Sequence, residues 1–163
     1  VDFKEIPLSK DGIDEITFYI SFNINEPLKE LSTVASGGEI SRFMLAVKSI
    51  EANADEIPSL IFDEIDSGIS GNAGNIVGKK LKDLSISHQL LCISHLPQII
   101  SKGDNLYLVY KEVENGKMTS KIKKLNYDEK IHSLAKIIEG DNYSEHTYMT
   151  AKKMIDDNLR GAK

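Results

Sequence analysis

Ser36-Gly37-Gly38-Glu39, followed after a helix-sized gap by Leu60-Ile61-Phe62-Asp63-Glu64 and then by Asp66-Ser67-Gly68-Ile69-Ser70-Gly71, is the stretch from which the fold can be read. Ser36 and Glu39 have the spacing of a capping box, and Ile40, Phe43, Met44, Val47 and Ile50 recur behind them at helical spacing. Together they predict an amphipathic helix of about 15 residues. A capping box serves many helices that bind nothing. The two glycines are the added signal, because inside a first turn each costs roughly 1 kcal/mol relative to Ala. Bare backbone at a helix N-terminus lets an anion approach unpaired N–H groups.

Ser59 to Phe62 is apolar throughout and reads as a short strand buried on both faces. Asp63, Glu64 and Asp66 follow at once, at the carboxyl end of a strand, where open α/β sheets bind their ligands. A Mg²⁺ ion is held by few carboxylates and several waters, a role that suits Asp63. Glu64 beside it could orient and deprotonate an attacking water. Neighbouring residues on a strand point to opposite faces, so the pair can serve one site only if the strand ends at Asp63 and the chain turns at Glu64.

Outward from this centre, Ile16 to Phe22, after the turn-like Lys10-Asp11-Gly12, predicts a strand or hairpin that Asn25-Glu26-Pro27 breaks. Ala73-Gly74-Asn75-Ile76-Val77-Gly78-Lys79-Lys80 imitates the phosphate loop G-x-x-x-x-G-K-[ST]. Ala73 replaces its first Gly and Lys80 its Ser or Thr, and Ile76, Val77, Leu81 and Leu84 place the segment inside a helix. Gln89 to Ile93 is the next expected buried strand, ending in Ser94-His95-Leu96-Pro97-Gln98, where His95 could reach the ligand of the acids. A short helix around Ile99 to Lys102 leads to a hairpin, Asn105 to Lys111 and Met118 to Leu125, about the turn Glu114-Asn115-Gly116-Lys117. Helices around residues 128 to 139, with Ile131, Leu134, Ala135 and Ile138 inward, and 144 to 159 close the chain.

At 163 residues and 40% hydrophobic content, the chain suits one domain over residues 1–163 with its own core. A net charge of −5 argues against coating DNA unaided, since non-specific duplex binding rests on Lys and Arg neutralising phosphates. Cys92 is the single cysteine, so no intrachain disulfide forms and a reducing compartment is expected, with the thiol buried in its apolar run. The sequence has neither a signal-peptide pattern nor an 18-residue apolar run, so a cytoplasmic protein without membrane contact is expected.

Taken in order, Ala35-Ser36-Gly37-Gly38-Glu39, Phe62-Asp63-Glu64-x-Asp66-x-Gly68-x-Ser70-Gly71 and Ile93-Ser94-His95-Leu96-Pro97-Gln98 resemble the C-terminal half of an ABC-type ATPase head. Within that class they are most similar to the RecN family, the bacterial DNA-repair relatives of the SMC proteins. The resemblance runs from the strand near Ile16 to the last helix. It implies an α/β fold, the C-terminal lobe of an ABC/SMC-type P-loop ATPase head, with a mainly parallel sheet flanked by helices and an antiparallel hairpin at its edge. It further implies that Ser36, Gly37, Gly38 and Glu39 form the signature motif that touches the γ-phosphate held by an opposite head. Asp63 would support Mg²⁺, Glu64 would be the catalytic base, Asp66 would lie in the D-loop that crosses the dimer interface, and His95 would be the switch histidine.

The resemblance also implies a function, ATP binding and hydrolysis in double-strand-break repair and recombination, with localisation in the cytoplasm at the nucleoid. The implied partners are the lobe's own N-terminal lobe, a second head in an ATP-dependent homodimer, and DNA through the full-length protein. ATP and Mg²⁺ would both require the N-terminal lobe, because this sequence has no phosphate loop and no glutamine loop; alone it is expected to be inactive. Two alternatives stay open from the residues. One is a head of another SMC-like or transporter ATPase. The other is a metal-dependent nuclease that uses Asp63, Glu64 and Asp66 as ligands.

Overall fold

A computed structural model describes residues 1–21, 25–34, 36–51, 57–114 and 116–160. Phe22, Ala35 and Asn115, which the sequence patterns drew on, lie outside the described residues. The chain opens with an antiparallel hairpin of β1 (Asp2–Ser9) and β2 (Gly12–Thr17), in which Phe3 pairs with Ile16. Gly12, at φ 114, supplies the left-handed backbone on which the turn depends. β3 (Tyr19–Ile20) and β4 (Lys29–Glu30) form a second, very short antiparallel pair, and the one-turn helix α1 (Leu31–Val34) follows.

α2 (Gly37–Glu51) runs back to β5 (Ser59–Phe62), the strand predicted from its apolar run. α3 (Gly71–Leu84) then crosses over to β6 (Gln89–Cys92), which pairs with β5 in parallel register, Ser59 opposite Gln89 and Phe62 opposite Cys92. A parallel pair joined through a helix is the βαβ unit. α4 (Pro97–Ile100) carries the chain to the hairpin of β7 (Tyr107–Glu114) and β8 (Lys117–Lys124). α5 (Tyr127–Glu139) starts on a full capping box, Asn126 with Glu129, and α6 (Glu145–Arg160) packs against it.

The α/β class is the one expected, while the sheet differs in detail. Its parallel part is two strands wide among the described residues, and the β7–β8 hairpin is a two-stranded sheet of its own rather than an edge of that pair. Among the described residues, two buried clusters hold the elements. Leu45, Phe62, Ile65, Val77, Leu81 and Leu84 lie between the parallel pair and α2 and α3, while Ile131, Leu134, Ala135, Ala151 and Ile155 join α5 to α6. α4 links them, since Ile99 belongs to the first and Ile100 packs on the second.

Several side chains expected inside lie outside. β5 is not buried on both faces: Ile61 is 72% exposed, and Leu91 and Ile93 on β6 and just after it are 57% and 59% exposed. These three share one face by alternation, and Leu60, Phe62 and Leu90 take the other. On α2 the core is met by Leu45, whereas Ile40, Met44 and Ile50 are exposed. Ile40 and Met44, with Lys48, instead line a groove along Leu60 and Ile61. Ile76 and Ile138 are likewise exposed. The surface area is 11610 Å², against the roughly 8,100 Å² expected of a compact monomer of this mass.

The phosphate-loop lookalike lies within α3, and its glycines have a packing reason. Gly78 is buried with a backbone oxygen against it, since an added Cβ would lie 2.8 Å from Gln98 O. On buried Gly74 a Cβ would collide with Leu96 Cδ2. The spacing of the two glycines, four apart, is the spacing at which α3 meets α4.

Candidate functional site

The three stretches singled out in the sequence meet at the carboxyl ends of β5 and β6. α2 begins on the predicted capping box: Ser36 Oγ accepts from the Glu39 N–H at 3.3 Å, and Glu39 Oε2 accepts from the Ser36 N–H at 2.7 Å. The Ser36 N–H, then the Ser36 hydroxyl, hold the Glu39 carboxyl below the usual range.

Gly38 has a reason that the sequence pattern did not reveal. It is buried against the acidic turn, where a Cβ would stand 2.7 Å from Ser67 Cβ and 2.8 Å from Glu64 O. Packing within the chain therefore requires this glycine, without any phosphate. Gly37 is exposed, and a Cβ there would lie 2.5 Å from Glu64 Oε2. The first turn of α2 thus sits directly beside the acid pair.

β5 ends at Phe62, and Glu64 takes φ 56, the one left-handed non-glycine among the described residues. The Ser67 N–H donates to Glu64 O at 2.9 Å and closes the turn. This break in the strand ends the alternation that would have sent Asp63 and Glu64 to opposite faces. Both are exposed. Asp63 Oδ1 accepts from the Glu64 N–H at 2.9 Å, while Ser41 Oγ donates to Asp63 O at 2.7 Å. Arg42 closes the far side of the turn, donating from Nη1 to Ile65 O at 3.1 Å and Ser67 O at 2.6 Å. Ser41 and Arg42 were not among the candidate site residues; a Ser and an Arg set inside an apolar helical stripe were the available signal.

Asp66 points inward. Its side chain is 3% exposed, and its Oδ2 accepts from Ser94 Oγ at 2.6 Å, the His95 N–H at 2.7 Å and the Leu96 N–H at 3.1 Å. His95 Nδ1 lies 3.1 Å from the same oxygen, although the His95 side chain is 82% exposed. Ser94 Oγ also accepts from the Leu96 N–H, which ties the loop to itself. Burial works against ionisation of Asp66, but the Ser94 hydroxyl, the His95 N–H and the nearby imidazole outweigh it, so the carboxyl lies below its ordinary value. Cys92, expected buried, is exposed at the end of β6. Desolvation at the sulfur, then the charges of Asp66 and Asp63, push its thiol up to about 11, so it stays protonated at neutral pH.

The arrangement can position an anion and a water more readily than it can hold a cluster of metals. Asp63 offers an exposed carboxylate that fits one hydrated Mg²⁺, and Glu64 stands beside it with a helix N-terminus at hand. A nuclease would need Asp66 as a further ligand. That carboxylate is engaged by the His95 loop, and among the described residues no group of three or more His, Cys, Asp or Glu is placed to hold a metal.

No family model matches the chain. Curated relatives do: a DNA repair protein RecN from Halalkalibacterium halodurans is 43% identical over 151 residues, 92% of this chain and 26% of the relative. One from Bacillus subtilis is 41% identical over 95% of this chain and 27% of its own length, and one from Vibrio cholerae is 42% identical over 88% and 26%. The chain thus spans about a quarter of the length of the curated relatives it matches. Among solved structures, a chain from work on ATP-driven dimerization and DNA-stimulated activation of SMC ATPases aligns with TM-score 0.49 and 18% identity, over 72% of this chain and 70% of that one.

Proposed function

Because this chain belongs to the RecN family, of which it spans about a quarter of the length, we propose that it is the C-terminal lobe of an ATP-hydrolysing head in an SMC-like DNA-repair protein. The observation that carries the reading is the convergence of the Ser36 helix start, the Asp63-Glu64 turn and the His95 loop at one end of the β5–β6 pair, joined by Ser41, Arg42 and Asp66. On this reading the Ser36 hydroxyl and the first N–H groups of α2 meet the γ-phosphate of ATP bound by a second head. Asp63 supports the metal, Glu64 accepts the proton of the attacking water, and His95 meets the γ-phosphate from its exposed ring. Bound Mg²⁺ would neutralise charge on the transferring phosphate. Positioning and electrostatics supply the catalysis.

Residues 1–163 form one domain on this reading, and its exposed surface carries the second half of the proposal. The Ile61, Leu91 and Ile93 face, continuous with the Ile40 and Met44 groove, is covered by the N-terminal lobe that brings the phosphate loop. The excess of surface over a compact monomer and the greater length of the relatives support this. The second head and DNA are engaged by the full-length protein, in the cytoplasm at the nucleoid; no helix among the described residues is long and apolar enough to cross a membrane.

The test is to assay Mg²⁺-dependent ATP hydrolysis by this chain alone and together with the remainder of its protein. The chain alone should be silent for lack of a Lys and a backbone cradle for the β- and γ-phosphates, and the mixture active. Turnover near 1 s⁻¹, within the ordinary enzyme range, from the chain alone would overturn the reading, as would a silent mixture.

A further inference from the structure

The His95 ring is 82% exposed, yet the backbone that carries it is anchored. A side chain that open to water ordinarily samples several rotamers. Here one buried oxygen, Asp66 Oδ2, accepts from the Ser94 hydroxyl and from the His95 and Leu96 N–H groups. These three bonds define the path of the loop, and the same oxygen lies 3.1 Å from the imidazole Nδ1, which sets a carboxylate charge beside the ring.

We propose that Asp66 is a positioning residue that acts through His95: it fixes the Ser94–Leu96 backbone and sets a carboxylate beside the imidazole, so that the ring is held where the γ-phosphate is met. This rests on the ATPase reading given above and deepens it. Charge is what makes the anchor effective. Bonds to an ionised acceptor are shorter and stronger than neutral ones, and the contacts at 2.6 and 2.7 Å have that character. The depressed pKa of Asp66 is consistent with an ionised anchor at neutral pH.

The experiment uses the full-length protein with Asp66→Asn, His95→Ala, the double variant and Ser94→Ala. Asp66→Asn keeps shape and one acceptor oxygen but not the charge. It should bind ATP as the parent does and lower kcat about 10- to 100-fold, the equivalent of one charge-assisted hydrogen bond. In the His95→Ala background the same substitution should cost less than about two-fold. Ser94→Ala should show a smaller, equally His95-dependent loss. A full loss from Asp66→Asn in the His95→Ala background would overturn the proposal, since Asp66 would then act without His95. Independently of ATP, the backbone and ring ¹⁵N signals of His95 should both move in Asp66→Asn; unchanged signals would also overturn it. A parent protein that hydrolyses no ATP would sink the ATPase reading alone, and the ring spectra would still decide the role of Asp66.

Discussion

Gly78→Ala and Gly74→Ala make the most discriminating pair of substitutions in this chain, because two helical glycines four residues apart face different obstacles. In a helix interior each replacement gains about 1 kcal/mol of propensity. At Gly78 the new Cβ lies 2.8 Å from the backbone oxygen of Gln98 and 3.3 Å from Lys102 Cγ. A carbonyl fixed in α4 cannot step aside without moving the helix, and overpacking of this kind typically costs about 1–3 kcal/mol. At Gly74 the obstacle is Leu96 Cδ2, the far end of a flexible side chain, with Gln98 Cβ at an ordinary 3.4 Å. There the propensity gain and the displacement of one methyl roughly cancel. Gly78→Ala should therefore lower stability by up to about 2 kcal/mol, a fall of up to roughly 8 °C in Tm for a chain of this size, while Gly74→Ala stays within about 1 kcal/mol of the parent. Denaturant titration and thermal melting of both variants provide the measurement. If Gly78→Ala proves as stable as Gly74→Ala, the packing of α3 on α4 is not the reason for the glycines.

Asp63→Asn in the full-length protein should weaken Mg²⁺-dependent ATP binding, whereas Glu64→Gln should preserve binding and lower turnover about 10²–10⁴-fold; equal loss of affinity in both variants would refute the division of roles. Ser36→Arg sets a long cation where the phosphate of the opposite head is proposed to sit, so ATP should still bind while ATP-driven dimerisation, followed by sedimentation, fails; unchanged dimerisation would leave Ser36 only its cap. For Asp66, a folded pKa below the unfolded value of about 3.9 means that its contribution is complete above that value and is lost as pH falls through the depressed folded value. Melting temperatures between pH 6 and pH 2 should therefore drop more steeply for the parent than for Asp66→Asn, and parallel curves would rule out this linkage.

Local chemistry was legible in the sequence and tertiary cover was not. Ser36 with Glu39 and the run Ser59 to Phe62 each declare their element through short-range rules, and the structure has the capping box and the strand where those rules put them. Ile61, Ile40 and Met44 were expected inside because apolar periodicity marks a face that wants cover; it does not say whether this stretch of chain supplies that cover. Gly38 was ambiguous for a related reason. A missing side chain looks alike in sequence whether the space is taken by a ligand or by Ser67. Asp66, one acid in a run of three, carried no mark that its partners would be Ser94, His95 and Leu96, 28 to 30 residues further on.

The open face of the β5–β6 pair has a cost that is not chemical. Ser59 to Phe62 and Gln89 to Cys92 are short, mostly apolar strands, each with a neighbour on one side only among the described residues, and Ile61, Leu91 and Ile93 lie bare above them. Unpaired edges beneath an apolar surface are templates for strand addition between molecules. A chain produced without the rest of its protein should therefore lose soluble material with concentration, and in a cell it would be exposed to proteases for as long as that face stays uncovered. On the proposed reading, the lifetime of the lobe would be set by how quickly it is assembled, and a head left incomplete would be removed instead of accumulating.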